Sequence, residues 1–171
     1  MKALKFKSIF FTLMCAVCNG ALADLPIAFI NEASLPYNYS PSNYENSESN
    51  YVNSISNYDN SSSNYDNSES NYTNSGANYE NGINGSKRLI LNGRTFIGYY
   101  VTAGNGTTNF FSTSGKRVFY LPKNGKAVFG GDSGEFCGVV ATVNNQFSLA
   151  LTEHGYRVLQ LNRWYVARRY D

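Results

Sequence analysis

Between Ser42 and Ile83 the chain runs through six consecutive units of seven residues, patterned Ser-Asn-Tyr-x-Asn-Ser-x. The tyrosines fall at Tyr44, Tyr51, Tyr58, Tyr65, Tyr72 and Tyr79 without a gap. The asparagines two places after them are Asn46, Asn53, Asn60, Asn67, Asn74 and Asn81. Each unit therefore offers one large apolar side chain among small and polar ones. Ordering seven backbones costs roughly 7–14 kcal/mol, whereas burying one aromatic ring returns only about 2–3 kcal/mol. A helix would gather the rings into one stripe without the second apolar position of a coiled-coil heptad. A strand would send successive rings to opposite faces, because the period is odd. The expectation is a disordered, extended arm with evenly spaced tyrosines as contact points. A stacked solenoid is the ordered competitor. Self-association through asparagine ladders and stacked rings is a third outcome.

The segment before the tract reads as export machinery. Lys2, Lys5 and Lys7 precede an apolar run from Ile9 to Val17, and Ala21-Leu22-Ala23 forms a small-x-small cleavage site before Asp24. Residues 1–23 are thus expected to be a signal peptide, with no transmembrane segment after its removal. Cys15 and Cys18 lie within it, which leaves Cys137 as a lone, buried thiol with no internal disulfide. The expected destination is the periplasm, the cell surface or the medium. Residues 24–41 form a proline-containing lead-in, read as extended and as one strand that docks on the following domain.

Charge divides the remainder. Asp24 to Ser86 holds eight acidic residues and no Lys or Arg, while Lys87 to Asp171 holds eleven basic and four acidic. An acidic arm beside a basic domain invites intramolecular attraction.

From Lys87 onward, short apolar runs alternate with Asn92-Gly93, Asn105-Gly106, Asn124-Gly125 and Asn144-Asn145, pairs that favour tight hairpin turns. Strands are expected near Arg88–Leu91, Arg94–Thr102, Thr107–Thr113, Arg117–Leu121, Lys126–Phe129, Glu135–Val143, Gln146–Thr152 and Tyr156–Leu161. The fold class is all-β: an antiparallel meander of about eight strands, closed as a small barrel or sandwich. A forty-residue slide lays Phe96 on Phe136, Gly98 on Gly138, Thr102 on Thr142, Arg117 on Arg157 and Leu121 on Leu161, so two pseudo-repeats are expected. Gly98 and Gly138 then fall mid-strand, where a bulge or close backbone approach is the usual reason for glycine.

Gly131-Asp132-Ser133-Gly134 matches the surroundings of a trypsin-like nucleophile. The only histidine, His154, follows the serine instead of preceding it, and the motif reads as a turn without a catalytic set. No enzymatic activity, cofactor or metal site is expected. The most suggestive surface stretch is Arg163-Trp164-Tyr165-Val166-Ala167-Arg168-Arg169, where cations interleave with rings in a pattern suited to polyanions. An equal reading makes it a frayed terminus with Trp164 packed on the barrel. Expected partners are an acidic envelope polymer or a protein; nucleic acid is disfavoured in an exported chain.

The heptads, with Gly98-Tyr99-Tyr100, Thr108-Asn109-Phe110-Phe111, Gly115-Lys116-Arg117 and Phe136-Cys137-Gly138, give the chain a resemblance. It resembles small secreted bacterial proteins with Asn-Tyr-x-Asn-Ser heptads before a short β domain. The resemblance implies a bacterial secretory context and carries over no activity and no functional residues. Heptads of that group often contain proline, and none stands between Ser42 and Ile83 here. Two functional expectations follow. The first is a non-enzymatic envelope or surface interaction protein that uses its Tyr/Asn-rich arm. The second is a module that binds acidic glycans or other polyanions through the basic β domain.

Overall fold

The computed structural model describes residues 24–85 and 88–167, with side chains through residue 160. The expected signal peptide, Arg168 and Arg169 lie outside the described residues.

Seven of the expected strands form as a meander: β2 (Leu89–Asn92), β3 (Thr95–Thr102), β4 (Thr108–Ser112), β5 (Arg117–Leu121), β6 (Ala127–Gly130), β7 (Phe136–Val143) and β8 (Gln146–Leu151). Each neighbouring pair is antiparallel. The lead-in supplies β1 (Leu25–Phe29), which runs parallel to both β2 and β8 and closes an eight-stranded barrel. Closure removes the two free edges that an open meander would expose. The hairpin residues adopt the left-handed backbone expected of them, with positive φ at Gly93, Gly106, Asn124, Asn144 and Asn145.

The last expected strand is a helix, and this corrects the reading of Tyr156–Leu161. Helix α1 spans Glu153–Ala167. Thr152 starts it: its Oγ1 accepts from the Gly155 N–H at 3.2 Å and donates to the Cys137 carbonyl at 3.0 Å. A Cβ at Gly155 would run into that same Cys137 carbonyl, so glycine lets the helix begin against β7. Leu159 then reaches the interior cluster, and α1 covers one end of the barrel. The pseudo-repeat accordingly holds for the β3–β4 and β7–β8 hairpins and ends where Arg117 opens a strand and Arg157 lies in a helix. Gly98 and Gly138 both sit where a Cβ would strike a neighbouring carbonyl, that of Phe111 or Ala150, and a bulge lies beside each.

The barrel interior is filled by Leu25, Ile90, Ile97, Phe110, Phe119, Val128, Leu149 and Leu151. A void of about 10 Å³ remains among them, at the lower limit for one water. Two further clusters lie on the outer face: Tyr99, Val101 and Phe111, and a larger group around Tyr120, Phe129, Phe136 and Val139. Strands β4, β5 and β6 are consequently buried on both faces, apart from their ends. Something must cover that outer face, and the heptad tract does.

The tract is ordered, which corrects the expectation of a disordered arm. 3₁₀ turns form at Tyr44–Asn46, Tyr65–Asn67, Tyr72–Asn74 and Tyr79–Asn81. The Tyr51 and Tyr58 units turn in the same way, through the Asn53 and Asn60 N–H groups. The first asparagine of each unit caps its turn, as Asn43 Oδ1 does by accepting from the Glu45 N–H at 3.1 Å. The second asparagine points inward and is buried in every unit. Its Nδ2 donates twice to the preceding unit; that of Asn67 bonds the Asp59 carbonyl at 2.7 Å and the Ser61 carbonyl at 3.0 Å. The same pair of bonds repeats at Asn53, Asn60, Asn74 and Asn81. The solenoid alternative is the one realised, with an amide core in place of an apolar one. An energy argument that counts only rings misses these bonds and the sheet beneath the coil.

Candidate tyrosine ladder

Because the coil repeats every seven residues, its tyrosines share one environment. Tyr44, Tyr51, Tyr58, Tyr65, Tyr72 and Tyr79 are each 62–70 % exposed. Tyr37 precedes Tyr44 by the same step, opens its own 3₁₀ turn over Tyr37–Tyr39 and is 65 % exposed. The ladder thus has a seventh rung that the sequence reading placed in the lead-in. The signal was there: Tyr37-Asn38-Tyr39-Ser40 keeps the tyrosine register, with Asn46 Nδ2 bonding the Asn38 and Ser40 carbonyls.

What holds the ladder rigid is its docking on the barrel. The coil crosses the strands in reverse order. Tyr120 on β5 donates its hydroxyl to the Asn53 carbonyl at 2.8 Å, and Tyr99 on β3 donates to the Asn74 carbonyl at 2.7 Å. Between them lies a polar chain. Asn109 Nδ2 donates to Asn67 Oδ1 at 2.9 Å, Arg117 Nε donates to Asn109 Oδ1 at 2.7 Å, and Arg117 Nη2 donates to the Asn60 carbonyl at 2.7 Å. The Arg117 guanidinium also stands 4.9 Å from the Tyr120 ring centre. Burial lowers the Arg117 pKa to about 10, with partial compensation from Tyr120, Asp132 and Glu69. Burial likewise pushes the Tyr99 and Tyr120 hydroxyls well above the ordinary phenol range.

Two glutamates of the tract reach the sheet at bulges. Glu69 Oε1 accepts from the Arg117 N–H at 2.8 Å, and Glu48 Oε2 accepts from the Phe136 N–H at 3.2 Å. Arg117 and Phe136 are each the first residue of their strand, and each borders a register shift. At the far end Arg88 bonds Glu80 at 3.3 Å and Asn81 Oδ1 at 2.9 Å. The charge division of the sequence appears directly in the Arg88–Glu80 pair, while Glu48 and Glu69 meet backbone N–H groups of the barrel.

The other expected features fall elsewhere. Gly131-Asp132-Ser133-Gly134 forms the turn between β6 and β7, as expected. Asp132 pairs with Lys116 at 3.0 Å, and Ser133 Oγ accepts from the Glu135 N–H at 3.2 Å. His154 Nε2 lies 3.2 Å from Glu135 Oε2. Around it a shallow cleft of about 360 Å³ is lined by Glu32, Pro41, Glu48, Glu135 and Phe136. Cys137 is fully buried, and burial pushes its thiol up to about 12. Arg163, Trp164 and Tyr165 lie on α1, and their side chains fall outside the described residues. Among the described residues there is no group of three His, Cys, Asp or Glu placed to hold a metal ion. No helix among them is long and apolar enough to cross a membrane.

No family model matches the chain, and no curated protein or solved structure matches it.

Proposed function

We propose that this is an exported, non-enzymatic interaction protein of the cell envelope or surface, and that the tyrosine ladder is its contact face. One observation carries the reading: seven tyrosines at a fixed step, each more than 60 % exposed, stand on a coil braced by a packed barrel. Exposed rings are normally scattered. Tyrosine offers a large, rigid, amphipathic contact at low entropy cost, while serine and asparagine beside it supply adaptable hydrogen bonds, the composition that binding loops favour. The barrel acts as the scaffold. Export rests on the signal-like residues 1–23.

The second expectation, acidic glycans held by the basic domain, has less support. Arg117 is buried beneath the coil, Arg88 bonds Glu80, Lys116 bonds Asp132, and Lys126 lies 5.4 Å from the Tyr39 ring centre. Those four cations are engaged within the molecule, and the other exposed ones among the described residues, Arg94, Lys123 and Arg157, are spread over two loops and the helix.

The test is cell fractionation with the full chain. Replacing Tyr51, Tyr58, Tyr65 and Tyr72 with serine is expected to leave the fold intact by circular dichroism and to abolish envelope association. Unchanged association of that folded variant would overturn the reading.

A further inference from the structure

We infer that the ladder recognises an extended, cationic polypeptide segment, with lysine or arginine side chains laid along the tyrosine row. The inference rests on the reading of the ladder as a contact face and names its partner chemistry.

The residue after each ladder tyrosine is Glu45, Val52, Asp59, Asp66, Thr73 or Glu80. All six are exposed. Glu80 is paired with Arg88, but Glu45, Asp59 and Asp66 make no side-chain hydrogen bond or ion pair among the described residues. Three residues per turn set successive side chains about 120° apart. Each free carboxylate therefore lies on the face of its turn that adjoins the face carrying Tyr44, Tyr58 or Tyr65. A row of rings flanked by carboxylates suits lysine or arginine side chains, whose head groups meet a ring quadrupole or an anion. The sequence from Asp24 to Ser86 contains no Lys or Arg, so no cation of the coil itself competes for these places.

Charge also decides between occupants. A neutral polysaccharide would stack on the rings and leave three carboxylates without a role. A second copy laid ladder to ladder would bring its own Glu45, Asp59 and Asp66 against these, like charge on like. Among the described residues, the other cations that a second copy leaves exposed, Arg94, Lys123 and Arg157, stand on three separate elements. A basic segment lays consecutive cations along the rings and the acids.

Each exposed ion pair changes affinity by roughly 1.4- to fivefold, so losing three carboxylates weakens binding by about threefold or more. The probe is a fluorescent peptide of six Lys-Ser repeats, titrated with the full chain at low and at moderate salt. The expected result is binding that weakens as salt rises. The triple variant Glu45→Gln, Asp59→Asn, Asp66→Asn should bind at least about threefold more weakly with an unchanged circular dichroism spectrum. Equal affinity in that variant would overturn the inference. So would salt-insensitive binding, tighter binding of a neutral glucan hexasaccharide, or dimerisation in the ultracentrifuge that the four Tyr→Ser changes remove. Fractionation separates the two levels of the argument. If the tyrosine variant leaves the envelope and the carboxylate variant stays, the contact face stands and the cationic partner falls. If neither leaves, both fall.

Discussion

Arg117 Nη2 donates to the carbonyl oxygen of Asn60 at 2.7 Å, tying the first residue of β5 to the third heptad. Arg117 is 2 % exposed, and its guanidinium meets a carbonyl, the Asn109 side chain and the face of Tyr120. A buried cation held by neutral groups keeps much of its desolvation cost. Asn109→Ala removes one acceptor from Arg117 and the donor to Asn67, and is expected to cost about 2–3 kcal/mol. Arg117→Met removes the charge while keeping most of the volume, and is expected to cost less, about 1 kcal/mol. Urea denaturation of both variants gives the comparison.

The coil inverts the usual ranking of residues in a repeat. Asn60→Ala or Asn67→Ala strips two donors from half-buried backbone carbonyls and is expected to cost about 2–3 kcal/mol. Tyr58→Ser, at an exposed ring, should stay within about 0.5 kcal/mol of the native chain. Thermal melts of the two kinds of variant read the difference directly.

Two glycines tolerate no side chain. A Cβ at Gly98 or Gly138 would meet the Phe111 or Ala150 carbonyl, backbone that cannot rotate away. Either Gly→Ala change is expected to cost more than about 3 kcal/mol, whereas the same change at Gly93 (φ 60°, open space) should cost about 1 kcal/mol.

The thiol of Cys137 should be inert in the native state. Burial, with Glu135 and Glu48 nearby, holds its pKa near 12 against an ordinary 9.0. At pH 8 the thiolate fraction is then roughly a thousandfold below that of the unfolded chain. Iodoacetamide labelling should stay slow until denaturant is added. The linkage has a definite sign. Between about pH 9 and 12 the unfolded thiol gives up its proton while the folded one keeps it. That contribution to stability therefore falls as pH rises across the window. Cys137→Ala should flatten this part of the alkaline slope in pH-dependent denaturation.

Most of the barrel was legible because its signals are local. Alternating apolar runs and Asn-Gly turns placed β2 to β8, and the spacing of Gly98 and Gly138 anticipated two close approaches. The closing strand was legible as an extended lead-in, although its parallel pairing with β2 and β8 depends on contacts between distant segments. Helix α1 was misread because the forty-residue register lays Arg157 and Leu161 on Arg117 and Leu121 of β5, while the helical pair Gly155 and Leu159 and the Thr152 cap carry the actual pattern. The tract was misjudged for a different reason. Its stabilising groups are polar: an amide that reaches six and eight residues back, and a sheet with Tyr99, Asn109, Arg117 and Tyr120 turned outward to receive it. The six tyrosines of the candidate site were singled out from the sequence, but their rigid alignment and the rung at Tyr37 required the fold.

Hydrogen exchange at the backbone amides of Asn46, Asn53, Asn60, Asn67, Asn74 and Asn81 tests the ordered coil most directly. Each of these N–H groups closes a turn on the asparagine three residues earlier, at 2.9 Å. The account predicts that all six are protected together in the full chain and that their protection falls together, by roughly thirty- to 150-fold, in Asn109→Ala. Exchange of all six at random-coil rates, with the barrel amides of β4 and β5 still protected, would contradict it.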